Sequence, residues 1–297
     1  MPTNTLGGVN LAVIAQQSLD VLQDVLPPLR AFTTDFSAEV AVRGASVTTR
    51  VATQPTSASL ATGYAANAQN STTTAKTVTL GAPTGLVLGF SDEEWSKSSI
   101  NLHDIFIRPG LNAVANDMMD DALALVTNAN FGAAAFTGAA GDFDADDVAD
   151  LAQTLSTAKV PRNDRFLMLS PTYFASLAKD DAIQAAYAFG GAEAIRDNRV
   201  PRVHGFNVVE YTDIPSNSEN LVGLCGAPQG IIIAARVPAT PDNFTGEIMN
   251  VTDPESGLTI QLRKWYSADD GQYYLSMASM WGVAVGVSGN ITRLVSA

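Results

Sequence analysis

A chain of 297 residues with a formal net charge of −13 can bury one large core or two smaller ones, and its charge excludes a tight grip on phosphate backbones through lysine and arginine. Only 16% of its residues are charged, against roughly 25% in an average soluble domain. A free subunit needs charge to stay dispersed, so the deficit fits a surface covered by neighbours. The single cysteine, Cys225, excludes an internal disulfide and a multi-cysteine metal site, and its apolar stretch over 221–227 reads as a buried, inert thiol. The first ten residues lack the basic and apolar parts of a signal peptide, and no apolar run reaches membrane-spanning length. A cytoplasmic protein with no membrane contact is expected. Asn-X-Ser/Thr triplets at Asn70, Asn243, Asn250 and Asn290 are chance matches in a chain rich in Asn and Thr.

Residues 1–8 read as a flexible start, and Leu11, Ile14, Leu19, Leu22 and Val25 predict a helix over 9–26 that the Pro27-Pro28 pair stops. Val40, Val42, Val47, Thr48, Thr49 and Val51 predict one strand over 39–52. The polar tract 53–76 cannot build a core of its own, and strand character resumes at 77–80 and 86–90. A long projecting hairpin explains this layout, ordered by a partner surface. Ser91 and Glu94 have capping-box spacing. The strongest helical pattern covers 104–128, with Leu111, Val114, Ala115, Met118, Ala122, Leu125 and Val126 in one stripe. Pro109 is tolerated in its first turn and otherwise kinks it.

The stretch 131–141 is rich in Gly and Ala and reads as a linker. An amphipathic helix is expected over 142–160 with Val148, Leu151, Ala152, Leu155 and Ala158 inward, then a buried strand over 165–169 and a helix over 171–179 with Pro171 at its first position. Helix, strand, helix indicates an α/β or α+β region. A strand over 206–210, apolar segments at 221–224 and 230–235, and β-runs over 258–266, 272–287 and 290–295 complete the pattern, with Asp270-Gly271 as a hairpin turn.

No residue set assembles a reaction. His103 and His204 have no Ser or Cys motif to pair with, and no serine sits in a nucleophile-elbow pattern. The run Asp142, Asp144, Asp146, Asp147 looks like the start of a calcium loop, but the sixth and twelfth positions are Asp147 and Gln153 where Gly and Glu are required. Capping of the following helix explains these acids better. Asp117, Asp120 and Asp121 share a helix, where a hydrated or partner-facing edge accounts for them. Catalytic, cofactor-binding and metal-ligating residues are accordingly none.

Three segments carry a resemblance. The run Val160-Pro161-Arg162-Asn163-Asp164-Arg165-Phe166 through Ser170-Pro171-Thr172-Tyr173-Phe174 is the first. The second is His204-Gly205-Phe206 to Glu210 with Ile214-Pro215, and the third is Leu262 to Tyr266 with Trp281 to Val285. Together with Gly85-Leu86-Val87-Leu88-Gly89-Phe90-Ser91-Asp92-Glu93-Glu94 and the helix bearing Asp120-Asp121, this order over roughly residues 30–295 resembles the major capsid proteins of tailed bacteriophages, the Hong Kong 97-type family. The resemblance implies an α+β fold with an N-arm (1–38), a strand and extended loop (39–95), a spine helix (96–141), an axial α/β domain (142–245) and a C-terminal peripheral β segment (246–297). It implies a non-enzymatic subunit of pentamers and hexamers, an icosahedral shell assembled in the host cytoplasm, and double-stranded DNA enclosed with weak contact. A portal, a possible decoration protein and, because few residues precede the first strand, a separate scaffolding protein are the implied partners. Some relatives crosslink a lysine of the extended loop to a neighbour's asparagine; Lys76 is the only lysine in this loop, without an identifiable acidic catalyst. The rival readings are an encapsulin-type nanocompartment shell, a small-molecule hydrolase with an α/β domain, and a tail or surface fibre protein, which the long helix and the α/β region oppose.

Overall fold

The computed structural model describes residues 27–41, 44–52, 59, 73–97, 102–183, 202–252 and 257–297. The helix expected over 9–26 and most of the polar tract lie outside these residues. A 3₁₀ turn, Pro27–Ala31, leads into β1 (Thr33–Ala41), and β2 (Ser46–Ala52) and β3 (Thr73–Thr79) form a hairpin. Next come β4 (Thr84–Ser91), α1 (Asp92–Lys97), the long α2 (Leu102–Ala124), the short α3 (Asn128–Phe131) and β5 (Phe136–Thr137). Helix α4 (Ala145–Thr157), β6 (Phe166–Leu169), α5 (Pro171–Lys179), β7 (Arg202–Val203) and β8 (Phe206–Glu210) follow. The chain closes with β9 (Leu221–Gly226), β10 (Ile231–Pro238), β11 (Glu247–Thr252), β12 (Thr259–Ser267), β13 (Gln272–Val285) and β14 (Ile291–Val295).

Two six-stranded sheets organise the molecule. The first runs β1-β10-β13-β12-β11, with β4 paired to β13; the second runs β5-β14-β9-β6-β8-β7. Strand β13, 14 residues long, pairs with three strands, β4, β10 and β12. Its first half, Gln272 to Ser279, pairs with β4, and its second half, Met280 to Val285, pairs with β10.

The two-residue period of a strand assigns each side chain to a core. On β6 every residue is buried, yet Phe166 and Met168 join one cluster while Leu167 and Leu169 join another. The first cluster lies under α2 and includes Leu111, Val114, Met118 and Leu123 from that helix. The second is covered by Val148, Leu151 and Leu155 of α4 and by Tyr173, Phe174 and Leu177 of α5. Strand β10 does the same in the first sheet: Ile231, Ile233 and Ala235 face the α2 core, whereas Ile232 and Ala234 face a small cluster at the foot of the hairpin. Burying each large aliphatic side chain is worth about 1.5–3 kcal/mol.

Several expectations need correction. The single strand expected over 39–52 is two strands, because Gly44, at φ +85, turns the chain between them. Residues 33–38, expected in an N-terminal arm, belong to β1, an edge strand parallel to β10. The long helix starts at Leu102 and ends at Ala124, so Pro109 sits inside it rather than in its first turn. The supposed linker contains β5, held by Phe136 packing edge-on to Phe143 at 5.0 Å. Strand β11, unforeseen, pairs with β12. Sheet membership also cuts across the expected spans: β10, within 142–245, lies in the first sheet, and β14, within 246–297, pairs with β9 and β5 of the second.

Candidate assembly surfaces

The β2–β3 hairpin is a two-stranded sheet in which no third strand participates among the described residues, in register from Ser46↔Thr79 to Ala52↔Thr73. Its side chains are polar and β-branched, so the strands form without supplying a core. Thr48 and Thr77 meet across the strands through their hydroxyls at 3.3 Å. On β3 only Val78 is buried, and with Leu80 it rests on Ile232, Ala234 and Met280. A ribbon with two open edges and one anchored end is marginal by itself and offers backbone and threonine hydroxyls to a partner.

The anchor depends on close backbone approach. Gly81 donates its N–H to the Trp281 carbonyl at 2.9 Å, and a Cβ on Gly282 would lie 2.2 Å from the Thr79 carbonyl oxygen. Glycine is therefore required where the hairpin foot crosses β13.

Several of the acids singled out in the sequence have structural tasks. Asp144 caps α4, accepting from the N–H groups of Asp146 and Asp147 at 3.0 and 3.1 Å, while Asp147 accepts from the Asp144 N–H at 3.2 Å. This reciprocal capping is what the calcium-like run does. Burial raises the Asp147 carboxyl above its ordinary value, with nearby Asp144, Asp150 and Asp146 adding to the rise against a lowering backbone hydrogen bond. On α2, Asp121 accepts from the indole of Trp281. Asp120 is raised by desolvation first and then by Asp213, Asp117 and Asp121. Among the described residues no group of three or more His, Cys, Asp or Glu could hold a metal ion, and no helix is long and apolar enough to cross a membrane.

His103 lies on α2, but its side chain is outside the described set. His204 is exposed in the two-residue turn joining β7 and β8, where His204 and Gly205 both have positive φ, 45 and 90. Among the described residues it makes no hydrogen bond to a Ser, Thr or Cys side chain. It borders instead an open depression of ≈ 600 Å³, together with Gln153, Arg162, Asn163, Arg165 and Arg202. Sequence reading missed this convergence, because the arginines are separated by up to 40 positions and no motif links them.

Arg165 forms part of this depression's wall and is only 3% exposed. Its guanidinium donates to the carbonyls of Pro161 (3.0 Å), Ala152 (3.2 Å) and Val160 (2.7 Å) and to the Ser156 hydroxyl (3.2 Å). It thus satisfies carbonyls at the end of α4 without a carboxylate partner. Burial lowers its pKa, and the nearby Arg162 lowers it further. Cys225, the expected inert thiol, is fully buried, and desolvation pushes it up to about 12.

No family model and no curated protein matches the sequence. Solved structures do match, along nearly the whole chain. The capsid structure of cyanophage P-SCSP1u matches with a TM-score of 0.63 at 13% identity, covering 90% of this chain and 86% of that one. The mature capsid of bacteriophage PhiM1 gives 0.61 at 12% identity, with coverage of 90% and 86%. The capsid of a native GTA particle gives 0.56 at 17% identity, covering 100% of this chain and 95% of the other. Sequence identity this low speaks to architecture, and the two sheets, the long α2 and the β2–β3 hairpin together make this an α+β chain of the Hong Kong 97-type capsid fold.

Proposed function

We propose that the chain is the major capsid protein of a tailed bacteriophage, a subunit that assembles with copies of itself into pentamers and hexamers of an icosahedral shell around double-stranded DNA. The observation that carries this reading is likeness over 90–100% of the chain to capsid structures of separate particles. A ribbon without a core of its own is explained by a neighbour that covers it. The net charge of −13 suits a wall that must contain a polyanion without adhering to it.

On this reading the second sheet with α4 and α5 is the axial domain, and the first sheet with α2 as spine is the peripheral domain. The β2–β3 hairpin is the extended loop. The subunit assembles in the host cytoplasm and resides in the virion. A scaffolding protein, a portal and a decoration protein are its proposed partners, and it performs no catalysis. The nanocompartment and hydrolase readings are not favoured, since the neighbours above are capsids of phages and a GTA particle.

Negative-stain electron microscopy of purified protein, with sedimentation, tests the proposal. Closed shells tens of nanometres across, or five- and six-membered rings, are expected, if necessary after co-expression with candidate scaffolding proteins. Persistent monomers under all of these conditions would overturn it.

A further inference from the structure

We propose that the arginine-lined depression beside α4 receives the acidic flank of α4 from a second copy of this chain, making a head-to-tail contact between neighbouring subunits. The inference rests on the shell reading above and names a surface through which copies meet.

The depression concentrates positive charge in a strongly acidic protein. Arg162 and Arg202 are exposed at its rim and Arg165 is buried in its wall, and among the described residues no carboxylate lines it. Neither Arg162 nor Arg202 makes an ion pair within the described residues. Among the described residues three cations are gathered without a counter-charge, although the chain has 30 acids to 17 lysines and arginines. Arg165 has its donors satisfied by carbonyls and a hydroxyl, so the rim arginines are the ones free to bind an anion.

The complementary charge lies on the same helix but faces another way. At roughly 100° per residue, Asp146, Asp147 and Asp150 centre on one flank of α4, while Ala149, Ala152, Gln153 and Ser156 centre on the other and line the depression, with Gln153 at the border between the two. Asp147 is engaged in the capping box, but Asp146 and Asp150 are exposed. A subunit with an unbalanced positive groove on one side and an unbalanced acidic flank on another pairs with copies of itself through two different surfaces. Such heterologous contacts generate rings when the rotation closes. The occupant is therefore a second copy. A nucleic acid is disfavoured because the field of a −13 chain repels a long polyanion, whereas a fixed pair of carboxylates at contact distance is attracted.

Two charge-reversed proteins test this by complementation. Arg162→Glu with Arg202→Glu reverses the groove, and Asp146→Arg with Asp150→Arg reverses the flank. Each alone should lower the fraction in rings or shells by about tenfold or more, with circular dichroism and thermal unfolding close to the parent, since these side chains are exposed. Mixing the two proteins, or combining all four substitutions in one chain, should restore association, and raised salt should weaken the parent contact. The mixture is read by native mass spectrometry, which scores mixed dimers even when no shell forms.

Mixed species absent from that spectrum would overturn the inference, as would unaltered assembly of the groove-reversed protein. In the second case the shell reading survives, because particles are still made. A parent protein that binds a duplex DNA oligomer and loses that binding on groove reversal would also overturn it, in favour of a phosphate-binding surface.

Discussion

The indole Nε1 of Trp281 donates to Asp121 Oδ2 at 2.7 Å, tying the closing strand β13 to the long helix α2 across 160 positions of sequence. Trp281 is buried and Asp121 is exposed at the edge of the helix, so the carboxylate spares the indole N–H an unsatisfied burial. Asp121→Ala should cost about 1–3 kcal/mol, the range for a lost hydrogen bond that orphans a buried donor. Urea unfolding checks this, and an unchanged midpoint would count against the bond.

The hydroxyl of Tyr211 is buried and finds no hydrogen-bond partner among the described residues. Burial pushes its pKa up to about 12, with Asp120 and Asp213 adding to the rise. The folded state therefore holds the phenolic proton more tightly than the unfolded chain, whose tyrosine titrates near pH 10. Stability from this group is complete below about pH 10 and is lost as pH rises toward about 12. Tyr211→Phe should stabilise the protein by about 1 kcal/mol at neutral pH and reduce the alkaline loss. A destabilised variant would show that the hydroxyl has a role that the contacts do not reveal.

With its pKa near 12, the Cys225 thiol has almost no thiolate at pH 8 and no access to solvent. A maleimide dye should label it only when the chain is unfolded. Fast labelling of native protein would mean that the second sheet opens readily around β9.

Lys159 adopts φ 59 immediately after α4, with its N–H bonded to the Ser156 carbonyl at 3.0 Å and the Val160 N–H bonded to that of Leu155 at 2.9 Å. This is the helix-ending arrangement that favours glycine. Lys159→Gly should raise stability by about 1 kcal/mol, because a side chain in the left-handed region costs roughly 1–2 kcal/mol. Thermal unfolding measures the shift.

Joining Ala52 to Thr73 by Asn-Gly removes the polar tract but keeps the pairing of their strands in register. The shortened protein should retain the parent circular dichroism and fail to form particles. Shells of normal yield would remove the hairpin from the assembly surface.

Local elements were legible wherever the signal is local. Ser91 and Glu94 form the expected reciprocal cap, Ser91 N–H to Glu94 Oε2 at 3.0 Å and Glu94 N–H to Ser91 Oγ at 3.2 Å. Helix α5 and strand β8 fall on the expected residues, and Asp270-Gly271 closes the β12–β13 hairpin. Errors gathered where the deciding contact is distant. Strand β5 is two residues long and is held by the aromatic contact of Phe136 and by pairing with β14. Strand β11 has an exposed, weakly patterned sequence that becomes a strand because β12 offers it an edge.

By itself the sequence determined the helix faces, their caps, the β-rich character of the last third and the coreless hairpin, because periodicity, capping and turn chemistry act within a few residues. Tertiary structure alone decided that β1 lies parallel to β10, that β14 crosses to the second sheet, and that Arg162, Arg165 and Arg202 share one depression. Those outcomes depend on which hydrophobic faces cover one another, and on backbones approaching closely enough to require Gly282 opposite Thr79. Contacts between segments up to two hundred residues apart leave no local pattern to read, since the free energy that selects them is gained only when the whole core is packed.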